Sequence, residues 1–371
     1  MAVDDGVLTY HDLLDYITAL TDGGARTKDM RLYREAILGA YRDVSMAAEW
    51  DYFTTEGRVN LDAAYTTGTI VYDHTGGANE RQITLTAGTW PSWAGKGRIR
   101  FGDVVYPIDT RVSDTIVTLG TDFNPGADVA STSYSSYRSV YPLPSDLWRI
   151  FDVAVEKTSW ITYYITPTEW LQRDRFLDYS GQTWAWTIMR DPDADNRWAL
   201  WVDPHPTTAE PLGFIYRRRP RTLRWAGTET AARTYTITGS SGATTVTTNN
   251  ALPSSMVGTV LRLPTGTDHP TGLGGNEPFN EQFKIMSISS TTVTIDSALT
   301  TAYSAGTKCV ISDPVDMNDT MLEALKAQLE YRLSRMANDP QGTVMAQQLA
   351  MGELRKALEA ESRHMSSQSN T

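Results

Sequence analysis

Trp90-Pro91-Ser92, followed by Ile99-Arg100-Phe101, returns at one common offset as Leu252-Pro253-Ser254, followed by Leu261-Arg262-Leu263. The agreement continues on both sides. Downstream, Tyr106-Pro107-Ile108 answers Phe283-Lys284-Ile285 after an extra loop in the second copy, Pro264 to Glu281. Beyond it, Thr115-Ile116-Val117-Thr118-Leu119 answers Thr291-Thr292-Val293-Thr294-Ile295, and upstream Ile83-Thr84 answers Val246-Thr247. Self-similarity held in register marks a duplicated structural unit. Both copies are rich in Thr, Val, Ile and Gly with short polar turns, the composition of strands on tight connections. The repeat therefore predicts two homologous all-β modules, 57–141 and 227–312, each a small barrel or sandwich that closes its own edges.

Outside the repeat the periodicity is helical. Tyr10, Leu13, Leu14, Ile17 and Leu20 fall at helical spacing behind Thr9 as N-cap, and Tyr33, Ile37, Ala40, Tyr41 and Val44 share a face in the next stretch, so 1–56 predicts a helical hairpin. Leu322, Leu325, Leu329, Leu333 and Met336 restore helix near the C-terminus. After the break at Asn338-Asp339-Pro340, a second amphipathic stretch carries Val344, Leu349, Leu354 and Leu358 before a polar tail, giving 313–371 as C-terminal helices and tail. Between the modules, 142–226 mixes strands with one short helix near Pro167, capped by Thr166. A β module whose ends lie close together can be inserted in a surface loop, because closure entropy grows only logarithmically with length. The expected fold is thus α+β: a helical-bundle body with a small mixed β/α middle region and two inserted all-β modules.

Charge and composition narrow the function. The 371 residues carry a net charge of −11 and a pI near 5.0, which argues against wrapping DNA phosphate over a broad surface. Cys309 is the single cysteine, so neither a disulfide framework nor a cysteine zinc site is expected. No apolar run resembles a membrane span, and no signal segment is visible, so a soluble protein made in a cytoplasm is expected. Tyr and Trp outnumber Phe, 18 and 11 against 8, a balance that suits half-buried strands and subunit interfaces alike.

No catalytic constellation emerges. His11, His74, His205, His269 and His364 stand in helix, loop, turn or tail without a nucleophile pattern around them, and Cys309 sits in a strand-like run as a small hydrophobe. Gly95-Lys96-Gly97 lacks the hydroxyl residue and following helix of a phosphate loop, and Gly23-Gly24 follows a helix instead of a strand. Asp191, Asp193 and Asp195 alternate like calcium ligands, but Asn196 replaces the turn glycine and Val202 the closing glutamate. A solvated turn between Trp184-Ala185-Trp186 and Trp198-Ala199-Leu200-Trp201 accounts for them. No catalytic residue, metal or cofactor is expected. The sharpest charge feature is Arg217-Arg218-Arg219-Pro220-Arg221, which reads as a strand end meeting an acidic neighbouring subunit, with phosphate contact as the competing reading.

The order of parts resembles head-to-tail adaptor proteins of tailed bacteriophages. The residues that carry the resemblance are the N-terminal helix pair, a strand module opening after Phe53, Tyr141-Pro142-Leu143-Pro144-Ser145-Asp146 leading into Ile150 to Val155, and the short helix at Thr168-Glu169-Trp170. Trp201-Val202-Asp203-Pro204-His205-Pro206, Phe214-Ile215-Tyr216-Arg217-Arg218 and the helical C-terminus complete the series. The resemblance implies a structural, non-enzymatic virion protein at the head-tail interface, assembled in the host cytoplasm. It implies a twelve-subunit ring (a dodecamer) that binds the portal, meets a tail, nozzle or tail-terminator protein and extends the channel for genome ejection, DNA passing without sequence-specific binding. It places the C-terminal segment, with Val344, Leu349, Leu354, Leu358 and Met365, at the portal, while the charge of Arg217, Arg218, Arg219 and Arg221 puts that run between subunits or against a partner. The alternative is a tail fibre or carbohydrate-binding host-surface protein, in which exposed tryptophans would stack on sugars.

Overall fold

A computed structural model describes residues 7–20, 30–74, 80–155, 160–176, 180–181, 183–191, 197–227, 235–264, 279, 281–336 and 340–368. Its helices are α1 (Tyr10–Leu20), α2 (Met30–Met46), α3 (Pro167–Phe176), α4 (Asp319–Met336) and α5 (Pro340–Gln368). The chain divides into two compact units, one formed by Met1–Tyr52 with Pro220–Thr371 and the other by Phe53–Arg219.

The expected helical-bundle body is corrected by the strand content, 38% strand against 28% helix, and by two large curled sheets. Residues 142–226 are the main source of the difference. Their Trp-, Val- and Tyr-rich runs prefer the extended chain, and long-range pairing selects it. Strand Glu210–Arg218 lies between Thr54–Leu61 and Leu147–Val155, antiparallel to both. Strand Trp198–Asp203 pairs with Ala185–Arg190 on one side and Val140–Pro142 on the other. Thr54–Leu61 follows the N-terminal helices directly, yet its partner is some 150 residues away, which local periodicity cannot reveal. Leu61, Tyr141, Ile150, Val153, Trp186, Leu200, Leu212 and Phe214 form the core shared by these two sheets. On the opposite side of the second sheet, α3 contributes Trp170, which packs with Ile165, Ala185 and Trp201.

The two curled sheets have seven strands each. The first comprises Ile70–Asp73, Gln82–Leu85, Arg98–Phe101, Val104–Arg111, Ile116–Leu119, Val129–Thr132 and Ser135–Tyr137. The second comprises Thr236–Gly239, Thr245–Thr248, Val260–Leu263, Glu281–Ser289, Thr292–Ile295, Tyr303–Lys308 and Val310–Ser312. In both, the spatial order is sixth, first, second, fifth, fourth, third, seventh. The sixth and seventh strands occupy opposite edges yet are separated by Cys309 alone in the second copy, so the sheet must curl until its edges meet.

Register agrees residue by residue. Ile83 opposes Val117 in one copy and Val246 opposes Val293 in the other. A bulge interrupts the fourth and fifth strands after Ile108 and again after Ile285. The Trp90 N–H donates to the Asp114 carbonyl (2.7 Å), as the Leu252 N–H does to that of Ser290 (3.1 Å). Each curl encloses its own core, built around Ile83, Ile99, Phe101, Ile108 and Val117 in one case and Val246, Leu261, Leu263, Ile285 and Val293 in the other.

In the first unit α4 packs against both α2 and α5, and α1 against α2. Thr9 and Asp12 form a reciprocal cap on α1: the Asp12 N–H donates to Thr9 Oγ1 (3.4 Å) and the Thr9 N–H to Asp12 Oδ2 (2.8 Å). Trp50, fully buried, donates its indole N–H to the Val44 carbonyl (2.9 Å) and satisfies an acceptor in the last turn of α2. Gly39 lets the Arg332 side chain cross α2, since a Cβ there would lie 2.3 Å from its Nη1. Arg332 then reaches Asp43 with Nη2 at 2.5 Å and Nε at 3.0 Å.

Candidate docking surfaces

Pro340 opens α5, where a missing N–H costs nothing and the fixed φ suits the first turn. The helix buries Ala350 and Ala357, two turns apart on one face, and small side chains there allow close approach to α4. The remainder of its N-terminal half exposes Val344 and Met351 on one flank and Met345 and Leu349 on the other, by 54, 62, 72 and 50%. Four large apolar side chains are thereby left to solvent within three turns of one helix.

The structure separates the residues that sequence grouped. Val344, Leu349 and Leu354 recur every five residues, and each such step turns about 140° around a helix of 3.6 residues per turn, so they do not form one stripe. Val344 and Leu349 face outward. Leu354 and Leu358 are half-buried on the side of Ala350 and Ala357. The side chain of Met365 lies outside the described residues. Met345 and Met351 were missed, and counting helical angle instead of apolar residues would have found them.

A second surface lies on the unit Phe53–Arg219. Glu56, Ile215 and Asp152 form one row across three adjacent strands, and Arg58, Gly213 and Ala154 form the next row on the same face. Small residues in the second row leave a groove of about 410 Å³ above the sheet. Among the described residues Glu56 has no ion-pair partner, and the Asp152 carboxylate accepts the N–H of its own neighbour Val153 (2.8 Å). Neither carboxylate was singled out from sequence, because their alignment depends on strands that are far apart along the chain.

The arginine run is dispersed by the strand it ends. Arg217 is buried and its guanidinium lies over the Trp148 ring (5.7 Å), while that of Arg218 lies over Phe53 (5.3 Å). Arg219 is exposed. Arg221, in the other unit, donates from Nε to Asp313 Oδ1 (2.8 Å), a carboxylate fully removed from solvent that also accepts the N–H groups of Arg224 and Trp225 (both 2.7 Å).

The chemical candidates occupy separate places. His11 lies 3.6 Å from Asp15, His74 Nδ1 lies 3.3 Å from the Tyr72 hydroxyl, and the buried His205 ring stacks on Tyr137 at 3.7 Å. His269 and the side chain of His364 lie outside the described residues. Burial pushes the Cys309 thiol up to about 12, far from a thiolate at neutral pH. The Trp-flanked strands form the expected hairpin, and at its tip the buried Asp191 donates its N–H to the Arg197 carbonyl (2.9 Å). Asp193 and Asp195 lie outside the described residues. Among those residues no group of three or more His, Cys, Asp or Glu is placed to hold a metal, and no helix is long and apolar enough to cross a membrane.

No protein family, curated protein or solved structure matches the chain.

Proposed function

We propose that the chain is a structural assembly protein of a tailed bacteriophage, a head-to-tail adaptor whose copies form a ring on the portal and receive the tail. The observation that carries this reading is the outward face of α5. An isolated subunit gains nothing from exposing Val344, Met345, Leu349 and Met351 along one half of a 29-residue helix, whereas assembly buries them, Val344 and Met345 at the start of the helix against the portal. The acidic balance fits a channel wall along which DNA slides, since a basic lumen would hold phosphate by counterion release. For the sugar-binding alternative two exposed tryptophans are at hand among the described residues, of which Trp148 is covered on one face by Arg217 and Trp198 remains for stacking.

Attachment to the portal ring of the same virus, followed by co-sedimentation, tests the reading. Replacing Val344 and Met345 with Asp leaves the fold intact, both being exposed, and abolishes attachment. Unchanged attachment by this variant removes α5 from the docking surface.

A further inference from the structure

We propose that the groove over Gly213 and Ala154 receives the stretch Leu349–Lys356 of α5 from a second copy of this chain, with Arg355 and Lys356 meeting Asp152 and Glu56 and with Val344 and Met345, at the start of the helix, left to the portal. The inference rests on the assembly reading and assigns the contact between neighbours within it. Its first support is Gly352. A glycine inside a helix costs about 1 kcal/mol relative to alanine. Here it has no internal reason, since a Cβ at Gly352 would meet nothing within 4 Å. The missing side chain leaves the helix surface low at that point, which permits close approach from outside. It sits among Leu349, Met351, Arg355 and Lys356, so the incoming surface must accept apolar side chains and two cations together.

The groove offers that combination. Ile215 and Ala154 provide apolar contact, Gly213 keeps the sheet surface low, and Arg58 beside it leaves the two carboxylates of the groove one negative charge in excess. Glu56 and Asp152 flank Ile215 from the two neighbouring strands, roughly 10 Å apart at Cα. On α5, Arg355 stands four residues after Met351 and Lys356 seven after Leu349, so each cation shares a helix face with an apolar anchor. Their present partners are Glu359 (3.1 Å) and Glu353 (2.7 Å). With the arginine and lysine side chains 81 and 72% exposed, these are surface pairs of small net worth that exchange readily for carboxylates on another molecule. Groove and helix are different surfaces of one chain. Their union is heterologous, and repetition yields a closed ring or an open chain of copies.

Sedimentation of the full chain over a range of concentrations tests the contact. Arg355→Glu with Lys356→Glu should weaken self-association by at least about tenfold, as should Glu56→Lys with Asp152→Lys, because each places like charges opposite one another. Combining the four substitutions should restore association to near the unmodified level. Association that ignores both reversals, or that the combination fails to restore, overturns this contact, as does a chain that stays monomeric at every concentration. Portal attachment, measured separately, continues to judge the broader function.

Discussion

Asp12 holds Arg262 through both carboxylate oxygens, at 2.5 and 2.8 Å, with side-chain exposures of 5 and 3%. The guanidinium also donates to the Val7 carbonyl (3.0 Å) and to Gln282 Oε1 (3.0 Å) and lies over the Phe279 ring. The first turn of α1 is thereby fastened to the third strand of the second curled sheet. Removing one partner leaves the other charged and buried, so Asp12→Ala should cost about 3–5 kcal/mol, whereas replacing both by apolar residues of similar volume should cost far less. Urea unfolding of the two variants separates these outcomes.

Gly57 and Phe214 are cross-strand partners, and a Cβ at Gly57 would lie 2.4 Å from Cε2 and Cζ of the ring. The Phe214 ring therefore lies across the glycine. Gly57→Val should destabilise the unit Phe53–Arg219 by about 1–3 kcal/mol despite the better strand propensity of valine. A rise in the unfolding midpoint would contradict this packing.

Within the arginine run, structure assigns unequal weights. Arg221→Met removes a charged donor from the buried Asp313 and should cost about 1–3 kcal/mol. Arg219→Ser, at an exposed position, should fall within about 0.5 kcal/mol of the unmodified chain. Equal losses at both positions would show that the run acts as one surface.

Alkaline pH should loosen the fold through a set of acids that burial raises, Tyr72, Tyr106, Tyr134, Tyr141 and Tyr216 among them, together with Tyr16 and Cys309. Burial and the hydrogen bond to Glu330 raise the Tyr16 hydroxyl from 10.0 to about 12, and burial raises the Cys309 thiol from 9.0 to about 12. Both are acids held neutral in the fold. Their contribution is complete below the unfolded values and is lost as pH climbs through about 12. Urea midpoints measured from pH 8 upward should fall above pH 9, and Tyr16→Phe should flatten part of that fall. A thiol reagent at pH 8 should label Cys309 only after unfolding.

How far the sequence carries depends on the range of the interaction. The duplicated β segments were legible because both copies obey the same local alternation, and the strand orders agree down to the bulges after Ile108 and Ile285. The caps at Thr9 and Thr166 were equally local. The dominance of sheet was not legible, because Thr54–Leu61 joins Glu210–Arg218 through pairing that no window of sequence contains. The exposed apolar surface of α5 was half legible: the helix was evident, but its outward side depends on which face Ala350 and Ala357 commit to α4. The row Glu56, Ile215, Asp152 was hidden altogether, since it exists only once three distant strands are in register.

The central claim is that this chain's exposed apolar surface serves neighbouring copies and a portal. Native mass measurement of neck complexes released from intact particles tests it most directly. The account predicts many copies of the chain per portal ring, in one fixed ratio. A complex that carries a single copy, or none, would contradict it.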